Sequence, residues 1–178
     1  MQPIPHVSSV VLLLAFSANA ATAFAQTAEN LADNVSRSWN EATVLVPGRF
    51  FATSPHRVRV AVDKPLPVVI YMHGCTGITA DHDLRWGQFI KALGFIVVLP
   101  DSMKRPGRRQ NCDPKAKRGG AFPQVFAMRQ EEIRYAVEQL KSSPWADSKN
   151  VFLMGHSEGG NAAAQSKLGG LRGVIISG

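Results

Sequence analysis

The chain has 178 residues, of which 45% are hydrophobic and 19% are charged, and its formal net charge is +7. These values are ordinary for a globular protein and suffice for one domain with a full core. The sequence contains no internal repeat, heptad pattern or low-complexity tract, which excludes a repeat protein and a coiled coil.

The first 25 residues predict a secretory signal peptide. They contain no Asp, Glu, Lys or Arg, and residues 10–16 form an apolar core too short to span a bilayer comfortably. Ala23-Phe24-Ala25 fits the small-x-small rule, so we expect cleavage after Ala25 and an exported protein, periplasmic or extracellular. A retained membrane anchor or a buried N-terminal helix is the alternative, because only the terminal amine and His6 supply positive charge there.

Residues 26–41 are polar and are expected to be a disordered N-terminal segment, followed by a domain over residues 42–178. Strands are predicted at 43–46, 58–62, 68–72, 95–99, 150–154 and 173–177, and helices at 83–93, 124–142 and 160–167. Trp86, Phe89, Ile90 and Leu93 share one apolar face of the first helix. From residue 68, strand and helix alternate, which predicts a mostly parallel sheet with helices on both faces.

Residues 155–159, Gly-His-Ser-Glu-Gly, form the pattern G-x-S-x-G between a predicted strand and a predicted helix. A serine on so tight a turn is held in a strained backbone conformation, with its hydroxyl above the sheet. Glycines two residues before and after it are needed because a side chain there would clash with the neighbouring strand or helix. The motif predicts a nucleophile at Ser157, and the alternative is an ordinary Gly-rich loop.

Cys75 and Cys112 are the two cysteines of the chain. In an oxidising compartment an even number of cysteines favours a disulfide, and closing a loop of this length stabilises a domain by about 3–4 kcal/mol. Two free buried thiols are the alternative.

Seven basic side chains and one acidic side chain lie between Lys104 and Arg118, so this basic segment has a net charge of +6. Its prolines and glycine predict a loop. The loop is either simply solvated or forms a rim that attracts an anionic substrate or surface, with Arg105, Arg108 and Arg109 as its candidates. No aromatic residue is interleaved with these charges, so no nucleic-acid partner is expected.

Three features between residues 43 and 178 occur together: the serine motif at 155–160, His-Gly-Cys-Thr-Gly at 73–77 directly after a predicted strand, and the order of the elements between them. Together they resemble the α/β-hydrolase superfamily, and in particular secreted dienelactone-hydrolase-like proteins. The resemblance implies an α/β-hydrolase fold with an oxyanion loop at 73–77. The best-known dienelactone hydrolases have cysteine where this chain has Ser157, so the resemblance is specific for the fold and weak for the substrate.

The resemblance implies a serine hydrolase that cleaves a carboxylic ester or lactone through an acyl-enzyme at Ser157. The serine needs a base to take its proton. The backbone N–H groups of Glu158 and Cys75 are the expected oxyanion donors, and His73 and Gly74 are expected to support the loop.

A disulfide between Cys75 and Cys112 would tie this loop to the basic segment and stiffen the oxyanion hole.

In this fold the triad acid and the triad histidine follow the nucleophile along the chain. Residues 158–178 contain no Asp and no His, and Glu158 is the one acidic residue among them. We therefore expect a partial domain, truncated after the strand that follows the elbow helix. Because the triad acid and histidine are absent, we expect little or no esterase turnover from these 178 residues alone.

Other titratable residues near the motifs are expected to have supporting roles. His73 and His156 are expected to be structural rather than catalytic bases. The Glu158 carboxylate is expected at the rim of the site or behind it rather than in a triad. Asp101 follows a predicted strand and either orients a loop or is an unusual catalytic acid.

The expected partner is a small ester or lactone, with an anionic substrate as one option. No metal or organic cofactor is expected, because no clustered ligand pattern appears, and no stable membrane span is expected either. Two alternatives stay open: a peptidase or amidase on the same fold, and a non-catalytic protein that holds an anionic partner on its basic segment. The sequence does not determine the oligomeric state.

Overall fold

The computed structural model describes residue 27 and residues 30–58, 64–120 and 122–178. The chain divides into two compact units, Met1–Asn34 and Val35–Gly178, and the sheet with its helices belongs to the second unit. The expected signal peptide and all but the first residue of the strand expected at 58–62 lie outside the described residues.

The elements of this unit alternate between strands and helices. Helix α1 contributes residues 35–40. The strands are β1 (Thr43–Leu45), β2 (Leu66–Met72), β3 (Ile96–Leu99), β4 (Cys112–Asp113), β5 (Arg118–Gly119), β6 (Ala146–His156) and β7 (Gly173–Ser177). The other α-helices are α2 (Arg85–Ala92), α3 (Pro123–Lys141) and α4 (Glu158–Ala164). A π-helical turn at Ala80–Leu84 and 3-10 turns at Pro55–Arg57 and Ser102–Lys104 lie between them.

Five strands form one sheet in the order β1-β3-β2-β6-β7. β1 is antiparallel to β3, and the other neighbours are parallel, with Val69 opposite Val97 on one side and Phe152 on the other. β4 and β5 form a small separate hairpin in the basic segment. The mostly parallel α/β sheet predicted from the sequence is therefore confirmed.

Alternate residues of the central strands face opposite sides of the sheet, as the two-residue period of a strand requires. Ile70 and its neighbours in register pack against buried residues of α3 and α4, whereas Val69 and Tyr71 pack on the other face with Ile90 of α2. Because helices cover both faces, the central strands are apolar throughout, which is why their sequences show no alternation.

The segment expected to be disordered differs from that expectation, because residues 35–40 form helix α1. Trp39 is only 3% exposed and packs in the same core cluster as the central strands, and Val35 is also buried. Burial of these two apolar side chains among polar neighbours orders the helix, since tertiary packing supplies most of the stability of a short helix.

Helix α2 forms where it was predicted, but its expected apolar face does not face the core. Gly87 and Ile90 are buried, whereas Trp86, Phe89 and Leu93 are 40–62% exposed. Gly87 allows α2 to approach β1 closely, because a Cβ at residue 87 would lie 2.6 Å from the Leu45 Cδ1. The exposed side chains line a groove of about 490 Å³ together with Phe95, Phe152, Ile175 and Ile176.

Candidate active site

Ser157 occupies a sharp turn between the end of β6 and the start of α4. Its φ is 53° and its ψ is −115°, a region that residues with a Cβ rarely adopt. Two backbone hydrogen bonds hold the turn: the Ser157 N–H donates to Ser177 O, and Asn161 N–H donates to Ser157 O, both at 3.0 Å. The side chain is exposed, and its hydroxyl makes no hydrogen bond to another described residue.

The glycines on either side of Ser157 are required by close backbone contacts. A Cβ on Gly155 would lie 2.1 Å from Gly159 O, and a Cβ on Gly159 would lie 2.0 Å from Met72 O. Neither position can hold a side chain, so α4 packs directly against β2 and β6. This contact places the elbow beside the carboxyl end of β2.

The segment after β2 runs next to the nucleophile. A Cβ built on Gly74 would lie 3.6 Å from the Ser157 Cβ. The Gly77 N–H donates to Gly74 O, so residues 74–77 form a tight turn. The N–H of Glu158 is the first of α4 and has no acceptor within the helix. In the described part of the chain, neither that amide nor the Cys75 amide donates to another residue, so both are available to a ligand.

His73 is completely buried and is hydrogen-bonded at both ring nitrogens. The Ser102 N–H donates to its Nε2 at 3.1 Å, so Nδ1 carries the proton and donates to Gly74 O at 2.7 Å. Burial first, and then the nearby Arg129 and Arg108 charges, hold the pKa of His73 well below its usual value. A neutral imidazole that is occupied on both sides supports the loop and has no free nitrogen for Ser157.

Cys75 and Cys112 form a disulfide. It joins the segment after β2 to the β4–β5 hairpin of the basic segment. The bond closes a loop between residues 37 positions apart, which encloses α2 and β3.

Replacing both cysteines by serine is expected to lower the free energy of unfolding by about 3–4 kcal/mol, because the unfolded chain regains the entropy of the opened loop. Urea unfolding of the wild type with and without reductant measures the loss. The double Cys75→Ser/Cys112→Ser variant is the control, since reductant should not change its stability. A wild type whose mass and stability are both unchanged by reductant would contradict this expectation.

Two of the three arginines expected in a rim that attracts anions are buried. Arg105 and Arg108 are buried, at 3% and 8% exposure, whereas Arg109 is exposed. Arg105 pairs with Glu131 at 2.6 Å and with Glu132 at 3.3 Å, and Arg108 pairs with Glu158 at 2.6 Å. The acids that neutralise these arginines lie on α3 and α4, outside the segment, so the local count of charge overstated its attraction for anions.

The carboxylates of Glu158 and Asp101 are both engaged in contacts with other residues. The Glu158 carboxylate is buried beneath the elbow against the Arg108 guanidinium, on the side away from solvent. The Asp101 carboxylate accepts the Met103 N–H at 3.0 Å and caps the 3-10 turn at Ser102–Lys104. Asp101 therefore orients the loop after β3.

His82 lies at the elbow although no sequence motif surrounds it. Its ring is stacked on that of His156, with centroids 3.7 Å apart, and its Nδ1 lies 3.3 Å from the Tyr71 hydroxyl. Burial, followed by the Asp83 charge, raises the pKa of Tyr71. Burial, followed by the His82 charge, lowers the pKa of His156. The His156 ring faces this cluster rather than Ser157, which agrees with a structural role.

Acidification is expected to destabilise the fold, because the pKa values of His73 and His156 are lower in the folded state than their usual 6.5. Their stabilising contribution is fully present above pH 6.5 and decreases as the pH falls and the unfolded chain takes up protons first. His73 alone gives a slope of at most about 1.4 kcal/mol per pH unit, and the partly exposed His156 adds less.

Urea unfolding at pH 7.5, 6.5 and 5.5 tests this dependence. His73→Gln should flatten the slope, because the amide keeps a donor and an acceptor but does not titrate. The exposed His56→Gln serves as the matched control for replacing a histidine, and the flattening caused by His73→Gln is measured relative to it. An equal free energy of unfolding at all three pH values in the wild type would contradict the expectation.

The described ranges contain no histidine bonded to the nucleophile, no metal site and no helix that could span a membrane. No histidine there is hydrogen-bonded to Ser157. No group of three His, Cys, Asp or Glu side chains is placed to hold a metal ion in that part of the chain. Among the described residues, every helix is too short or too polar to cross a membrane.

One solved α/β-hydrolase structure agrees with this architecture. The chain is similar to the α/β hydrolase GrgF from Penicillium sp. sh18, with 16% identity over 65% of this chain and 38% of that one and a TM-score of 0.50. It is also similar to a provisionally named dienelactone hydrolase from Klebsiella pneumoniae subsp. pneumoniae MGH 78578, with 16% identity, coverage of 76% and 52%, and a TM-score of 0.49. This chain thus spans about half of the length of these structures or less.

No curated protein sequence matches the chain. A protein-family model, that of the dienelactone hydrolase family, matches residues 55–176. The match covers well over half of the chain and includes both the loop after β2 and the serine elbow. The chain therefore belongs to the dienelactone hydrolase family.

Proposed function

We propose that the chain carries the nucleophile and the oxyanion hole of a serine hydrolase that cleaves a carboxylic ester or lactone. The observation that supports this most directly is the exposed Ser157, held at positive φ beside the loop at residues 73–77. A serine hydroxyl presented in this way can approach a carbonyl carbon without a clash from the preceding strand.

In this proposal the Ser157 Oγ attacks the ester carbonyl, and the carbonyl oxygen becomes an oxyanion. The N–H groups of Glu158 and Cys75 donate to that oxyanion, and both are free of other acceptors in the described part of the chain. The tetrahedral intermediate then expels the alcohol, or opens the lactone ring, and leaves an acyl-enzyme that water hydrolyses.

The proton of Ser157 has to be taken by a base. His73 has both nitrogens occupied, and no other described histidine is hydrogen-bonded to Ser157, so none of them is proposed for this role. We propose that the base is not among the described residues, and that residues 1–178 on their own show little ester turnover.

A fluorophosphonate probe tests the nucleophile directly in the product of the complete gene. We expect covalent labelling at Ser157, detected as a mass increase on the peptide that carries it. Genomic sequence that continues beyond codon 178 with an Asp and then a His in loops at strand ends would support the hydrolase. Absence of labelling at Ser157 in a folded protein would count against it.

We further propose export of the protein. The disulfide between Cys75 and Cys112 supports this, because such bonds persist mainly in oxidising compartments. The substrate is proposed to be a small molecule, and the exposed Arg109 is the remaining candidate of the basic segment for contact with an anionic group.

A further inference from the structure

Arg129 of α3 has the largest fully buried side chain of the described residues, with 0% exposure. A buried guanidinium is unfavourable unless its charge and its donors find partners. The partners of Arg129 therefore indicate which parts of the structure it holds together.

One side of the Arg129 guanidinium is bonded to the end of β2. Its Nη2 donates to the backbone oxygen of His73 at 2.7 Å, and its Nη1 lies 3.4 Å from the His73 Nε2. His73 is followed by Gly74 and Cys75, which carries one of the two proposed oxyanion donors. Arg129 Nη1 also donates to Glu132 on the same helix at 3.0 Å, which fixes the plane of the guanidinium.

The other side of the guanidinium faces the elbow. The Arg129 Nε lies 3.7 Å from the Glu158 Oε1, which is an ion-pair distance without a hydrogen bond. The Arg108 Nη2 donates to the same oxygen at 2.6 Å. Glu158 carries the second proposed oxyanion donor on its own backbone. A single buried side chain thus contacts both chain segments that present the donors.

We propose that Arg129 is a positioning residue that sets the relative placement of the two oxyanion donors, an inference that rests on the proposed function. The donors belong to different elements, the loop after β2 and the first residue of α4. An oxyanion hole is effective only when its donors are preorganised. The planar guanidinium can link the two segments at fixed geometry, which the flexible ammonium of lysine cannot do.

Arg105 provides a matched control within the same buried network. It is also buried and ion-paired, it shares Glu132 with Arg129, and it donates to Met128 O at 2.7 Å. These partners lie on α3 rather than on the loop after β2 or on the elbow. Arg105→Lys therefore removes a comparable buried fork but leaves in place the Arg129 contacts with His73 and Glu158.

The experiment compares Arg129→Lys with Arg105→Lys in the product of the complete gene, using a p-nitrophenyl ester. Both variants are expected to lose stability. Arg129→Lys is expected to lower kcat about 100-fold with KM changed less than about 2-fold, because displaced donors affect the transition state more than substrate binding. Arg105→Lys is expected to keep kcat within about 2-fold of the wild type.

Hydrogen exchange provides a second measurement that does not depend on turnover. The Gly77 amide donates to Gly74 O and reports on the loop after β2. The Ser157 amide donates to Ser177 O, and the Asn161 amide donates to Ser157 O, so both report on the elbow. Arg129→Lys should increase exchange at all three amides about 10-fold or more relative to Arg105→Lys, because the link between the segments is loosened.

The outcomes separate this proposal from the hydrolase itself. Equal exchange in the two variants, or equal kcat with an active wild type, overturns the positioning role of Arg129. Faster exchange in Arg129→Lys with a wild type that neither turns over ester nor labels at Ser157 supports the positioning role and contradicts the hydrolase. If Arg129→Lys does not fold, Glu158→Gln is compared with Arg108→Lys, because the Glu158 carboxylate also pairs with Arg108. Exchange at Ser157 and Asn161 should rise more in Glu158→Gln than in Arg108→Lys, without a rise at Gly77, and equal exchange in the two variants overturns the proposal.

Discussion

Ser157→Ala is expected to lower kcat for ester hydrolysis by the product of the complete gene about 10⁵- to 10⁶-fold, because no acyl-enzyme can form without the hydroxyl. The loss should not be total, since an intact oxyanion hole still stabilises attack by water. Steady-state turnover of a p-nitrophenyl ester measures the ratio. Circular dichroism at matched concentration shows whether the variant has kept its fold.

Ser142→Ala is the matched control, because Ser142 is exposed at the C-terminal end of α3, away from the elbow. It should label with fluorophosphonate and turn over ester as the wild type does, whereas Ser157→Ala should do neither. Turnover by Ser157→Ala within about 10-fold of the wild type would mean that the reaction does not proceed through this residue.

Gly159→Ala is expected to lower the free energy of unfolding by about 3 kcal/mol or more, the upper range for overpacked positions. The added Cβ would lie 2.0 Å from Met72 O and 2.7 Å from His73 O. These are backbone atoms and cannot move away by a change of rotamer, so α4 would have to separate from β2. Urea unfolding with a fluorescence signal measures the change in stability.

Gly169→Ala is the control for the general effect of replacing a glycine. A Cβ there meets no atom within 4 Å, and the residue does not have a positive φ. Its stability should stay within about 0.5 kcal/mol of the wild type, as for most surface substitutions. If Gly159→Ala were as stable as Gly169→Ala, α4 would not pack on β2 as the structure describes.

The sequence was sufficient to predict the sheet and the elbow, because both depend on local patterns. Unbroken apolar runs predicted β2 and β3 close to their observed bounds, and the helix predicted at 124–142 corresponds to α3. The elbow was predictable because the glycines at 155 and 159 are required by contacts within a few residues of Ser157 and with the adjacent strand. The pairing of Cys75 with Cys112 was predictable because only two cysteines are present.

The buried charges were not predictable in the same way, because their partners are distant in sequence. Arg108 pairs with Glu158, 50 residues away, and Arg105 pairs with acids 26 and 27 residues away. A local count of charge cannot detect such pairs. His82 was missed for the same reason, since its contact with His156 arises from the packing of a π-helical turn against the elbow.

Helices α1 and α2 show the limits of amphipathic patterns. Residues 35–40 are mostly polar, yet the apolar side chains of Val35 and Trp39 are sufficient to dock α1. In α2 the strongest apolar stripe lines an open groove, and the helix instead packs through Gly87 and Ile90. Periodicity identified the helix, but the side that faces the core was decided by how closely the backbone can approach β1.

The backbone conformation of Ser157 also has a consequence for engineering. A non-glycine residue at φ 53° and ψ −115° costs about 1–3 kcal/mol, which is a large share of the net stability of a domain of this size. Glycine would remove that cost and would also remove the hydroxyl. A substitution that raises the thermal stability at residue 157 therefore removes the proposed nucleophile. Stabilising substitutions have to be placed in loops and on surfaces away from this turn.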